Sequence, residues 1–105
     1  MEKLIAALSD LEDKYLERGI FSRFFEDVFD LSLILVSQDD NFEIFIKLAS
    51  DGECSLTKEE AEILCDKVQA DFFKLVSNAY SKKESESAED NFEGISLFLN
   101  EDLVY

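Results

Sequence analysis

Whatever fold this chain adopts must keep fifteen excess negative charges apart while burying ten phenylalanines. The 105 residues carry 25 Asp and Glu against 10 Lys and Arg, with no His, for a formal net charge of -15. The two demands oppose each other, since self-repulsion expands a chain and apolar burial contracts it. With 47% hydrophobic residues, burial has the material to win. A disordered acidic tail would be poor in aromatic and β-branched residues, and this chain is not. Its length suits a single acidic domain over 1–105. Stability should rise with salt, because screening shortens the reach of the repulsion.

The charge is unevenly placed. No basic residue follows Lys83, while Glu84, Glu86, Glu89, Asp90, Glu93, Glu101 and Asp102 do. A second basic-free stretch, Phe24 to Ile46, holds Glu26, Asp27, Asp30, Asp39, Asp40 and Glu43. Such a surface repels nucleic acid and anionic membranes and attracts basic proteins. The candidate partner-binding carboxylates are Asp39, Asp40, Glu43, Asp51, Glu53, Glu84, Glu86, Glu89, Asp90 and Glu93. For any one of them, solvation alone is sufficient reason to exist. As an ensemble they belong to a net charge of -15, about twice the upper end of the ordinary ~2–8 for a small domain.

Apolar spacing sets the expected elements. Leu4, Leu8, Leu11 and Tyr15 recur at helical intervals over residues 2 to 18, with Ile5, Ala7 and Leu16 broadening the stripe and Gly19 as terminator. Phe21, Phe24, Phe25, Val28 and Phe29 predict a second helix over 20 to 30. Residues 31 to 49 read as a β-hairpin. Its turn is Gln38 to Asn41, and Phe42, Ile44, Ile46 and Leu48 alternate with Glu43, Phe45 and Lys47. Asp51 to Glu53 is turn chemistry. Thr57 with Glu60 forms a capping box, and the helix it opens runs to about Tyr80, with Leu56 placed as a staple. Residues 81 to 92 read as a polar loop. Ile95, Leu97 and Leu99 then alternate in a C-terminal strand that pairs with the hairpin. The predicted class is α+β: N-terminal helices, hairpin, long capped helix, strand. The alternative is an all-α bundle, if 31 to 49 is helical.

Ile63, Phe73 and Tyr80 fall off the main apolar face of the long helix. Two readings remain open: a helix buried on both sides, or a self-association seam that would make a homodimer.

The search for chemistry excludes most enzymes. Without His there is no ordinary general base near neutral pH and no imidazole ligand. No P-loop, dinucleotide fingerprint or nucleophile elbow occurs. Asp39, Asn41 and Glu43 open with calcium-loop spacing, but Ile44 stands where glycine is required and Ser50 where the closing glutamate belongs. Cys65 lies on the apolar helical face as a small core residue, and Cys54 follows the acids Asp51 and Glu53, which disfavour its thiolate. The expectation is no catalysis, no cofactor and no metal. With no positively charged leader and no long apolar run, the expected compartment is the cytoplasm, with reduced thiols.

The leading expectation is a small acidic inhibitor whose carboxylates stand in for phosphates on a basic partner, a nuclease or nucleic-acid-binding complex. Anti-CRISPR and anti-restriction proteins, and the immunity proteins of nuclease toxins, are of this type. Direct nucleic-acid or membrane binding is not expected. The alternative is a cytoplasmic adaptor or secretion chaperone that binds a partner segment through apolar surfaces.

Overall fold

The computed structural model describes residues 2–18, 28–50 and 56–105. The elements are α1 (Glu2–Arg18), β1 (Val28–Gln38), β2 (Asn41–Ser50), α2 (Lys58–Ala79), α3 (Lys82–Asn91), β3 (Phe92–Leu99) and β4 (Asp102–Leu103). The strands form one sheet in the order β1-β2-β3-β4. The fold is α+β, and the all-α alternative is not adopted.

The hairpin forms because its two strands offer matching alternation and a polar turn. Leu31, Leu33 and Leu35 stand opposite Leu48, Ile46 and Ile44 in the antiparallel β1–β2 pair. Asp39 takes a positive φ of 57° at the turn, a conformation that a short polar side chain tolerates. The predicted helix over 20 to 30 ends differently: Val28 to Asp30 already belong to β1. Strand pairing with Ser50 and Ala49 overrides the local helical spacing there. Residues 20 to 27 lie outside those described.

β3 pairs with β2 in parallel, Ile44 beside Ile95 and Ile46 beside Leu97. Parallel neighbours require a crossover, and α2 with α3 supply it. The register slips between Phe42 and Glu43, so Glu93 is the extra residue of a bulge on β3. Asn100 and Glu101, both at positive φ, turn the chain back into β4. The Asn100 side chain accepts from the Ser50 N–H and donates to the Ser50 hydroxyl, each at 3.0 Å, tying that turn to the end of β2.

The helices cover one face of the sheet. Phe42, Ile44, Ile46 and Leu48 from β2 meet Leu8, Leu11 and Tyr15 from α1 and Ala61, Leu64, Cys65, Val68, Phe72 and Val76 from α2, all buried. Ile5 and Leu16 do not join the core; each is half-exposed, because the α1 stripe is narrower than its apolar content. The Tyr15 hydroxyl donates to Asp71 at 2.5 Å, joining α1 to α2. Four phenylalanines close a ring of contacts: Phe42 with Phe72, Phe72 with Phe73, Phe73 with Phe92, and Phe92 with Phe42, at 5.2–6.2 Å between centroids.

The capping box of α2 is complete. The Glu60 N–H donates to the Thr57 hydroxyl at 3.1 Å, and the Thr57 N–H donates to the Glu60 carboxylate at 3.3 Å. The segment predicted as a polar loop is instead the helix α3. Ser81 repeats half of the device: its hydroxyl accepts from the Glu84 N–H at 3.2 Å, and it also donates to the Glu84 carboxylate at 3.0 Å. Buried Ala88 anchors the helix to the core. Low complexity suggested a loop, but a cap and one docked alanine suffice for a ten-residue helix.

Two outcomes follow. Thr57→Ala should cost about 0.5–2 kcal/mol, the usual range for a lost N-cap. Phe72→Ala should cost about 3–5 kcal/mol, because it opens a cavity at the centre of the phenylalanine ring. Urea unfolding of both variants measures the values; a Phe72→Ala cost below that of Thr57→Ala would contradict the packing described.

Candidate functional site

The hairpin turn places Asp39 and Asp40 at one end of the molecule, both exposed. Because Phe42 pairs with Phe92, that end also receives the C-terminus of α3. The N-terminus of α1 completes it. Glu2, Asp39, Asp40 and Glu84 thus line one open cleft of about 780 Å³, with Lys3 as its one basic side chain among the described residues. Lys3 lies 3.8 Å from Glu84 and 5.4 Å from the centre of the Tyr80 ring. Both members of the ion pair are largely exposed, so it contributes little to stability. The Tyr80 hydroxyl is buried at the cleft and makes no hydrogen bond to the described residues. Burial, with Glu84 adding, pushes its phenol upward, which keeps it protonated and able to donate.

The remaining carboxylates divide. Glu86, Glu89 and Asp90 are exposed and share one side of α3 by their spacing of three and four. Glu93 is exposed at the β3 bulge. Glu43 does not join the cleft; it stands on the sheet face away from the helices, beside Gly94. Asp51, Glu53 and Cys54 lie outside the described residues.

A second shallow cleft, of about 400 Å³, joins Asp66 and Gln69 of α2 to Glu89 of α3 over Phe73 and Phe92. Sequence reasoning passed over this α2 contribution and the Glu2 of the first cleft. The signal was present, since Glu59, Glu62 and Asp66 fall at helical spacing opposite the buried face.

Phe73 and Tyr80 are both partly buried. Phe73 packs between Phe72 and Phe92, and Tyr80 rests against the core under Lys3. Their off-face positions are explained by the N-terminus of α1 and by β3, which meet α2 from a second side. Ile63 alone of the three is exposed, at 59%.

Among the described residues no three Cys, Asp or Glu side chains converge to hold a metal ion. Asp39, Asn41 and Glu43 are strung along a turn and an extended strand. No described helix is long and apolar enough to cross a membrane. Comparison with family models, with curated protein sequences and with solved structures found no match.

Cys65 is buried, and burial, with Asp66 adding, pushes its thiol up to about 11. It should be inert at pH 8. In a Cys54→Ser variant, maleimide should leave the remaining thiol unmodified in native buffer and label it fully in denaturant. Rapid native labelling would contradict its placement.

Proposed function

We propose that this protein is a stoichiometric inhibitor that binds a basic, nucleic-acid-acting protein by presenting carboxylates where that partner expects phosphates. The observation that carries the reading is the cleft at the hairpin tip, where Glu2, Asp39, Asp40 and Glu84 converge and Lys3 is the one basic side chain among the described residues. A partner's Arg or Lys entering there meets fixed negative charge. Helix α3 supports the same reading. Its lysines, Lys82 and Lys83, open the helix, and its acids Glu89 and Asp90 close it with no basic residue in the last turn. That order opposes the helix dipole and costs stability, so something other than helix stability favours acids at that end.

The inhibitor acts by occupancy, needs no cofactor and catalyses nothing. A cytoplasmic setting suits it, either against a host defence nuclease, as anti-CRISPR proteins act, or as the immunity partner of a nuclease toxin. One observation favours the second reading, an adaptor or secretion chaperone: apolar side chains remain exposed on the sheet face opposite the helices. Salt separates the two, because charge-driven binding weakens steeply with ionic strength and apolar docking does not.

Asp39→Asn with Asp40→Asn, and separately Glu86→Gln with Glu89→Gln and Asp90→Asn, should each weaken binding to the partner captured at low salt. The expected loss is roughly tenfold or more, about 1.4 kcal/mol. Nucleic acid should compete with the wild-type protein for that partner. Titration calorimetry across a salt series measures all of this; unchanged affinity in both variants with a flat salt dependence overturns the proposal.

A further inference from the structure

The sheet face turned away from the helices carries residues that the acidic surface does not use. Its rows follow from the register. Val36, Glu43 and Gly94 stand side by side; then Ile34, Phe45 and Ser96; then Ser32, Lys47, Phe98 and Leu103. Phe45 and Phe98 meet edge to face at 5.3 Å. Ile34, Val36 and Leu103 are 38%, 41% and 66% exposed. A Cβ placed on Gly94 would meet no atom within 4 Å, so the face is open there and dented.

On a chain of net charge -15 these three rows hold one acid and one base, Glu43 and Lys47, and sum to zero. Neither makes an ion pair with the described residues. They lie four residues apart on β2, with Phe45 midway. A second copy laid face to face, about 10 Å away, with its strands reversed about the Phe45–Ser96 row, brings each Glu43 over the other copy's Lys47. The same two-fold axis sets each Phe98 over the other copy's Gly94, since these also lie four apart about Ser96. The face is therefore complementary to itself in charge and in shape.

We infer that the protein forms a two-fold dimer through this open sheet face, with Phe45 at the axis, Glu43 paired to Lys47 and Phe98 seated at Gly94. The acidic cleft lies at the hairpin end of the sheet on its helix-covered side, so the dimer presents two clefts at opposite ends. This inference is independent of what the clefts bind. Screening should strengthen the dimer, because the two copies repel overall, whereas it should weaken capture of a basic partner.

Sedimentation across concentration and salt tests it. Wild type should show a monomer–dimer equilibrium that shifts toward dimer as salt rises. Phe45→Lys should be folded by circular dichroism and monomeric, although it lowers the net repulsion. Glu43→Lys and Lys47→Glu should each weaken the dimer by roughly tenfold or more. The double variant, again at the wild-type net charge, should restore it. A wild type monomeric up to about 100 μM overturns the inference and leaves the face to another protein. So does a series that follows net charge alone, stronger with Glu43→Lys and weaker with Lys47→Glu.

Discussion

The ring of Phe42, Phe72, Phe73 and Phe92 is the contact on which the rest of the architecture depends. It joins the start of β2, the second half of α2 and the start of β3. Parallel strands receive no help from a short turn, so their pairing must be held from outside the sheet. Here α2 is held across β2 and β3 by edge-to-face aromatic contacts, each worth ~0.5–1.5 kcal/mol beyond the area buried. Locking Phe92 beside Phe42 brings the end of α3 to the hairpin turn, and the acidic cleft exists because of that juxtaposition.

The charge is then arranged by subtraction. Residues that face the core are apolar without exception among those described, and no charged side chain is buried. The acids are left on the helix surfaces, the hairpin tip and the β3 bulge. The outer sheet face is nearly free of them, so one side of the molecule is strongly acidic and another is close to neutral. That polarity separates two kinds of contact: one driven by charge and screened by salt, and one driven by apolar area and favoured by it.

Much of this was legible from local pattern. The 3.6-residue period placed α1 and α2, and the Thr57–Glu60 pair placed the start of α2. Alternation placed the hairpin and β3. The misreading of 81 to 92 had a local remedy, since Ser81 and Glu84 repeat the capping pattern of Thr57 and Glu60. Charge content pointed to the acids as a class, and Asp39 and Asp40 stand where a turn would put them.

What the sequence could not decide was everything set by distant pairing. Val28 to Asp30 have helical spacing and are strand, because Ser50 and Ala49 offer them a ladder. Phe73 and Tyr80 looked unpartnered on an isolated helix, yet Phe92 and Lys3 reach them from other elements. On β1, Ile34 and Val36 are as apolar as their buried neighbours Leu31 and Leu33, so alternation in that strand does not mark which face the helices cover. By itself the sequence determined the local elements and the net charge, because helix period, strand alternation and caps act over a few residues. Tertiary structure alone decided the direction of β3, the acids that share a cleft and the apolar face left open, because each depends on contacts between segments far apart in the chain.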